Sequence, residues 1–381
     1  MAFVSSFGQT FFIGLFGGDL QRELGIAEDR WGLYYGAATL VSGALMFRAG
    51  AESDRRGVRS VLVVCLGVLI VGAALVASAR GALGVLLALF LLRFGGQGLA
   101  GHLAMVVAAR APTRRGRCLA IGGLGFVLGQ AVLPVSVVSL LGLTDWRTLW
   151  WGIAAALAVV VAPILWRLAR FSFARAAAVP GERPDERMDR RALLRRAPFL
   201  AALSVLLVPP FVATAIFVQQ ASIIELRGWT QASFATGFLG FAAVQAIANW
   251  VSGGLVDRFD ARALFRYYLV PLALGLVALV WVPGLVGLWL FFLGLGLSAG
   301  THAVISTALW VELFGLSQLG LVRGVYFGFM VLSTALSPFL FGAGLAAGVP
   351  LALLCGSLAL YSLVTPWFAA GALGSAVDRR G

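Results

Sequence analysis

Residues 48–60 read RAGAESDRRGVRS, and six of these thirteen residues are charged. Two apolar runs enclose this stretch, WGLYYGAATLVSGALMF before it and VLVVCLGVLIVGAALVASA after it. The chain of 381 residues is 60% hydrophobic and 12% charged, whereas a soluble domain carries about 25% charged residues. Apolar runs of about 18 or more residues are typical of membrane-spanning helices. The sequence therefore predicts an all-α integral membrane protein, in which this charged stretch is a loop between two spans.

Twelve apolar runs follow one another along the chain. We predict spans at residues 3–20, 31–50, 60–79, 82–109, 118–141, 146–167, 199–224, 231–256, 263–283, 285–312, 324–346 and 350–372. The first run is short, and it begins almost at Met1 without the basic flank and cleavage site of a signal peptide. We therefore expect the native first helix to begin further upstream.

The arginines predict the topology, since all 29 basic residues are arginine. If both termini lie inside, 23 arginines fall in the inner loops and tail, five fall in the outer loops, and Arg93 falls within a span. Arginine-rich loops stay on the cytoplasmic side. We therefore predict a multi-pass protein of the bacterial inner membrane with both termini in the cytoplasm. The net charge of +13 then reflects topology and attraction to membrane lipids, and it does not predict nucleic-acid binding.

The charged stretch recurs in the second half of the chain. Four of its residues have counterparts 203 positions later: Gly50 and Gly253, Asp54 and Asp257, Arg55 and Arg258, Arg59 and Arg262. The match fails at Gly57, whose counterpart is Asp260.

A second pair of stretches repeats at nearly the same offset. GQGLAGH ends at His102, and GLSAGTH ends at His302, 200 positions later. Nearly constant offsets predict a duplicated six-helix unit, an architecture that transporters use. We predict an N-terminal bundle at residues 1–167, a cytoplasmic linker at 168–197 and a C-terminal bundle at 198–381.

These motifs resemble those of a known family. The spacing of Gly50, Asp54, Arg55, Gly57 and Arg59 is similar to the loop signature between the second and third helices of the major facilitator superfamily. The resemblance implies the major facilitator fold, with twelve transmembrane helices in two pseudo-symmetric six-helix bundles, and alternating access by rocking of the halves. It also implies that the loop is a gate latch on the cytoplasmic side.

The second copy of the loop, with Asp257, Arg258 and Arg262, would form a second latch, and Asp260 departs from the signature there.

A narrower resemblance rests on four stretches. SSFGQTFFIGLFGG, GQGLAGH, STALWVELFG and LSQLGLVRG are similar to bacterial members related to monocarboxylate porters. This resemblance implies a small organic anion, such as a monocarboxylate, as the substrate.

Arg93 is the clearest candidate for a substrate-binding residue. It lies about halfway along the predicted fourth span, where a charge costs roughly 2.5–3.5 kcal/mol on insertion scales. A guanidinium fork suits a carboxylate, and Gln97 lies one turn further on the same helix face. In the alternative interpretation, Arg93 pairs only with helix carbonyls and holds the bundle together.

His102 and His302 are the only histidines, and they occupy equivalent places in the repeat. An imidazole titrates near pH 6.5, so either could carry a coupling proton. On an ideal helix, Arg93 and His102 lie on opposite faces, unless the intervening glycines bend the helix.

Amide side chains within spans are further candidates, although such amides often hold helices together. In the resembled family, helices 1, 4, 7 and 10 line the cavity, which favours Gln9, Gln219 and Gln220. The three cysteines have no metal-ligand spacing, and no nucleophile and base are paired in the sequence. We therefore predict no metal site, no cofactor and no enzymatic activity.

Three functions remain open from the sequence. The first is secondary active transport of a small organic anion, coupled to protons or to exchange, by a monomer. The second is efflux of drugs or amphiphilic metabolites on the same fold, which the fixed charge of Arg93 disfavours. The third is a non-transporting membrane sensor, which the short linker and tail disfavour.

Overall fold

The computed structural model describes residues 1–55, 58–109, 115–169 and 189–374. Within these ranges, helices lie at all twelve predicted positions, and every regular element is helical. The twelve long helices are α1 (residues 2–24), α2 (Glu28–Arg55), α3 (Val58–Ser78), α4 (residues 82–109), α5 (Arg115–Leu141), α6 (Trp146–Leu168), α7 (residues 197–227), α8 (Gln231–Phe259), α9 (Ala261–Trp281), α10 (Gly284–Phe314), α11 (Leu319–Ala346) and α12 (Leu351–Gly374). A short helix, Arg190–Leu194, precedes α7, and a 3-10 turn, Leu316–Gln318, precedes α11.

The described helices confirm a multi-pass membrane protein. Ten of them, α3 to α12, are long and apolar enough to cross a membrane within the described residues. The first two helices are not among these ten. α1 is divided into short helical pieces, and α2 continues into the charged residues that begin the signature loop.

Several helices depart from regular α-helical geometry. α1 is interrupted by extended backbone at Gln9, and α7 is interrupted at Leu207 and Gln219. π-Helical segments lie within α4 at Arg93–Ala100 and within α6 at Leu157–Val161. Such segments are rare and occur frequently at functional sites.

The interruption of α7 at Leu207 follows from two consecutive prolines at residues 209–210. These prolines lack the N–H groups that would bond the carbonyls four residues earlier, those of Val205 and Leu206. Two tyrosines supply the missing donors. Tyr268 Oη donates to the Val205 carbonyl at 3.1 Å, and Tyr326 Oη donates to the Leu206 carbonyl at 3.4 Å.

Two compact units make up the chain. Unit 1 contains residues 1–181 together with the segments 216–222 and 335–346, and unit 2 contains residues 182–215, 223–334 and 347–381. In unit 1, α4 packs against α2 and α3, and α3 packs against α6. In unit 2, α10 packs against α8 and α9, and α9 packs against α12. The same pairs therefore pack in each unit, six helices apart.

Two arginines cap equivalent helix ends in the two units. In unit 1, Arg147 Nη1 donates to the carbonyls of Ala77 (3.0 Å) and Ala79 (2.7 Å) at the end of α3. In unit 2, the capping residue of α9 is Arg227. It donates to the carbonyls of residues 280 and 282 at 2.8 and 2.6 Å. The capped carbonyls are again 203 positions apart, since 280 − 77 and 282 − 79 both equal 203.

The N-terminus of α6 is anchored at the same place. Asp145 precedes the helix and accepts hydrogen bonds from the N–H groups of Arg147 and Thr148 and from the Thr148 hydroxyl. These bonds, that of the Thr148 hydroxyl first, lower the pKa of the Asp145 carboxyl. Glu23 of α1 accepts from Arg147 Nε at 2.9 Å and from Trp146 Nε1 at 2.6 Å. α1, α3 and α6 are thus tied together at one end of unit 1.

We expect Arg227→Gln to lower the free energy of unfolding by about 2 kcal/mol, because hydrogen bonds from a charged donor contribute about 1.5–3 kcal/mol and two carbonyls at the end of α9 lose theirs. Thermal or denaturant unfolding in detergent would measure the change. Arg80→Gln is the matched control, since Arg80 is an exposed arginine in a loop. Equal stability of the two variants would contradict a capping role.

Candidate functional site

Arg93 lies in unit 1, where the π-helical segment of α4 begins, and its side chain is 2% exposed. Its Nε donates to Thr39 Oγ1 at 3.1 Å. Its Nη1 donates to the Gly8 carbonyl at 3.2 Å and to Thr10 Oγ1 at 3.4 Å. The ring of Tyr35 completes the environment, with 4.9 Å between Arg93 Cζ and the ring centroid. We refer to these five residues as the Arg93 cluster.

The Arg93 cluster holds a positive charge among neutral groups. Within the described ranges, the partners of the guanidinium are hydroxyls, a backbone carbonyl and an aromatic ring. Thr10 Oγ1 and Tyr35 Oη lie 2.6 Å apart and bond each other. In the part of the chain that the structure describes, no carboxylate lies within ion-pair distance of Arg93. An ionisable residue within a membrane span is costly and is functional by default, so this charge is suited to an anionic ligand.

Irregular backbone in two helices places Arg93 against α1. Gln9 is extended, with φ −85° and ψ 154°, so the helical hydrogen bonds of α1 stop there. The Gly8 carbonyl is thereby available to Arg93. In α4, the backbone of Gly96 approaches Gly8 so closely that a Cβ on either glycine would clash with the other helix. The site therefore requires glycine at both positions.

The other candidates on α1 and α4, which are Gln9, Gln97 and His102, are not among the contacts of the Arg93 cluster. Gln97 Oε1 is buried and has no hydrogen-bond partner among the described residues. Gln9 is partly exposed at the interruption of α1. His102 follows the π-helical segment, and the hydrogen bonds of Arg93 do not include it. Because π turns contain more residues than α turns, the ideal-helix argument for opposite faces does not apply to this segment.

Gln219 and Gln220 lie in the segment 216–222, within unit 1. Both are buried, at 1% and 2% exposed. Gln219 Nε2 donates to the Pro338 carbonyl at 3.0 Å, which gives it a packing role in this structure. Both amide atoms of Gln220 are buried without a partner in the described part of the chain, so this side chain retains unused hydrogen-bonding capacity.

His302 lies in unit 2 within a group of tyrosines. Its Nε2 is 3.0 Å from Tyr326 Oη, which also bonds the Leu206 carbonyl of α7. Its ring stacks on Tyr268, with 6.0 Å between the ring centroids. His302 Nδ1 is buried and has no partner among the described residues. The imidazole is therefore held by a hydroxyl and is not paired with a carboxylate there.

The signature loop is described in part. Gly50, Asp54 and Arg55 belong to the last turns of α2, and Gly57 lies outside the described residues. Arg59 lies in the first turn of α3, and its Cζ lies 5.7 Å from the ring centroid of Trp166 on α6. The latch role of these residues stays a prediction.

The second copy of the loop has a contact that the sequence did not indicate. Asp257 and Arg258 are exposed at the end of α8. Glu312 of α10 accepts the N–H of Ala261 at 2.8 Å at the start of α9. Arg262 Nη2 donates to the Glu312 carbonyl at 3.2 Å, and its Nε lies 3.6 Å from Glu312 Oε2. Glu312 therefore caps α9 and holds Arg262.

Asp260 keeps the backbone conformation of a glycine. It has φ 62° and ψ 153°, a region that glycine alone adopts readily and that costs other residues about 1–3 kcal/mol. Its counterpart in the first copy is Gly57. The departure from the signature at this position therefore introduces strain after α8.

We expect Asp260→Gly to raise the free energy of unfolding by about 1 kcal/mol, because glycine removes this strain. Thermal unfolding in detergent would measure the gain. Asp257→Gly is the matched control, since glycine within a helix is destabilising by about 1 kcal/mol and Asp257 lies within α8. A lower midpoint for Asp260→Gly than for the wild type would show that the carboxylate contributes more than the strain costs.

Three further glycines in unit 1, which were not predicted from the sequence, lie in close contact with the backbone of a neighbouring segment. A Cβ built on any of them would clash with a backbone carbonyl oxygen of segment 216–222 or 335–346. The pairs are Gly14 with Phe217, Gly32 with Pro338, and Gly36 with Ala335. We call these three residues the glycine seam. Their signal was the Gly-x3-Gly spacing of residues 14–18 and 32–36, a common helix-packing pattern in membranes.

Comparison with known proteins identifies the family. The model of the Major Facilitator Superfamily matches residues 1–338. The chain belongs to this superfamily. It is accordingly a membrane transporter and not an enzyme. No group of three or more histidine, cysteine or acidic side chains in the described residues could hold a metal ion.

Solved structures of Major Facilitator transporters share the fold. A bacterial homologue of the human lysosomal transporter Spinster, inward-facing and unoccupied, is 16% identical, with a TM-score of 0.70 over 99% of this chain and 93% of that one. The same homologue in an occupied conformation is 14% identical, also with a TM-score of 0.70, over 99% and 95% of the two chains. A variant of the nucleoside transporter NupG is 13% identical, with a TM-score of 0.75 over 97% of each chain. No curated protein matches the chain significantly.

Proposed function

We propose that this protein transports a small organic anion, such as a monocarboxylate, by alternating access across the bacterial inner membrane. The observation that carries the proposal is the buried guanidinium of Arg93, whose contacts among the described residues are all with neutral groups of the cluster. A carboxylate bound there would supply the missing negative charge through charge-assisted hydrogen bonds. The resemblance to monocarboxylate porters agrees with this substrate class.

In this proposal the polar residues have separate roles. Arg93 binds the carboxylate, and Tyr35 and Thr39 hold the guanidinium in place. Gln97, Gln9 and Gln220 supply hydrogen bonds to the rest of the substrate, and Gln219 joins them when its bond to Pro338 opens. The protein acts as a monomer with both termini in the cytoplasm, and the signature loop closes its cytoplasmic side.

Coupling to protons or exchange is the second part of the proposal. His302 is the residue on which it rests, because a neutral imidazole with a free buried Nδ1 can accept a proton, and Tyr326 already bonds Nε2. His102 is the equivalent residue of the repeat and the alternative carrier.

Uptake by proteoliposomes tests the substrate class. The panel would contain labelled monocarboxylates, a dicarboxylate, a nucleoside and an organic cation, each with and without an inward proton gradient. We expect uptake of a monocarboxylate. The proton gradient should stimulate this uptake if the protein couples to protons, and unlabelled substrate inside the vesicles should stimulate it if the protein exchanges anions. Uptake of the nucleoside or the cation without any carboxylate would contradict the proposed substrate class. Efflux of the cation from preloaded vesicles, without uptake of any carboxylate, would favour the efflux function. The absence of any uptake or efflux would favour the sensor.

A further inference from the structure

An apolar cavity of about 490 Å³ lies in unit 1. Its walls come from α1, α3, α4, α5 and α6, and none of its lining residues belongs to the Arg93 cluster. The side chains that line it are aliphatic or aromatic except for the thioether of Met1 and the thiol of Cys118, and they include Phe3, Leu62, Leu103 and Ile121. The walls carry no charged side chain, so they fit a hydrocarbon chain better than the carboxylate of a transported anion.

One rim of the cavity is positively charged. Arg59 lies between the lining residues Val58 and Leu62 of α3, and Arg167 lies between Leu165 and Leu168 of α6. Both arginines are exposed, and neither pairs with a carboxylate of the described residues.

A tryptophan joins the two sides of this rim. Arg59 Cζ lies 5.7 Å from the ring centroid of Trp166, the residue before Arg167. Tryptophans concentrate at membrane–water interfaces, at the level of the lipid headgroups. The rim therefore presents two cations where lipid phosphates lie, directly beside an apolar cavity.

We propose that the cavity holds an acyl chain of an anionic phospholipid whose phosphate lies against Arg59 and Arg167. The two parts of the site have different effects. An acyl chain gains little by moving from other lipid tails into an apolar cavity, because both surroundings are equally apolar. The arginines therefore select the headgroup, and the cavity selects a lipid over a free phosphate or a soluble anion.

Native mass spectrometry of the protein released from nanodiscs tests this site. The nanodiscs would contain phosphatidylcholine mixed with phosphatidylglycerol. We expect the wild type to retain one phosphatidylglycerol in preference to phosphatidylcholine. Arg59→Gln and Arg167→Gln should each reduce this retention about 5-fold, since one arginine near an anionic headgroup contributes about that factor. Both arginines are exposed, so neither substitution should disturb folding.

Two further variants separate the site from general surface charge. Ala104→Leu adds volume to the cavity wall without a change of charge, and we expect it to reduce phosphatidylglycerol retention as well. Arg258→Gln is the matched control, because Arg258 also lies over an aromatic ring, 5.3 Å from that of Phe259, but not at the cavity. Equal retention of both lipids by the wild type, full retention by Ala104→Leu, or an equal loss with Arg258→Gln would overturn the proposal.

Discussion

Arg93→Gln is expected to reduce carboxylate uptake at least about 30-fold, because the loss of one partner from a buried charge pair costs about 2–5 kcal/mol. Glutamine can still donate a hydrogen bond to a neighbour in the cluster, but it cannot neutralise a carboxylate. The initial rate of gradient-driven uptake into proteoliposomes measures the loss. Arg93→Lys keeps the charge but not the fork of donors, so we expect an intermediate rate.

Stability distinguishes a binding role of Arg93 from a structural one. A buried cation without a counter-ion is costly to the folded protein, so the neutral glutamine should leave thermal stability unchanged or raise it while uptake falls. If Arg93 instead holds the bundle together through Gly8 and Thr39, Arg93→Gln should lower stability. Wild-type uptake by this variant would likewise make Arg93 structural. Arg22→Gln is the matched control, since Arg22 is exposed and pairs with Asp19 of its own helix.

The positions of the helices were predictable from the sequence because a long apolar segment in a bilayer has to satisfy its backbone groups internally, and a helix does so. The predicted span 285–312 corresponds to Gly284–Phe314, and the span 60–79 corresponds to Val58–Ser78. The same argument cannot find the π-helical segment at Arg93–Ala100. In a helix that is apolar on all sides, no polar face shows which residues share one side. A change in the number of residues per turn therefore leaves no pattern in the sequence.

Comparison of the two repeats shows where prediction fails. α10 carries a similar run of glycines, GLGLSAGTH, and remains α-helical throughout. By the 200-residue offset of the histidines, Leu293 and Leu297 take the places of Arg93 and Gln97. Glycine content alone therefore does not determine whether a segment is π-helical. The π-helical segment occurs in the repeat that contains the polar pair Arg93 and Gln97.

The partners of Arg93 were also missed. Tyr35 and Thr39 lie in the run WGLYYGAATLVSG, where their hydroxyls are inconspicuous among apolar residues.

The capping roles of Arg147 and Arg227 were not predicted either. Both counted only as charges in outer loops, because the carbonyls that they cap are about 50–70 positions distant in sequence. Such pairings depend on the packing of helices that the sequence does not specify individually.

Gly32→Ala is expected to lower the free energy of unfolding by about 3 kcal/mol, the upper end of the usual cost of overpacking. The added methyl would clash with the Pro338 carbonyl oxygen, a backbone atom that cannot rotate away as a side chain can. α2 and the segment 335–346 must then separate. We expect the hydrogen bond from Gln219 to the Pro338 carbonyl to be lost as well.

Gly67→Ala on α3 is the control for this prediction, because nothing lies within 4 Å of a Cβ built there. We expect that variant to be neutral or more stable by about 0.5–1 kcal/mol, as alanine is the better helix former. Thermal unfolding in detergent compares the two. Gly14→Ala, which would meet the Phe217 carbonyl, should act like Gly32→Ala. If both seam variants were as stable as Gly67→Ala, the close approach at the glycine seam would not contribute to folding, and the glycines there would serve only to let these helices move past one another.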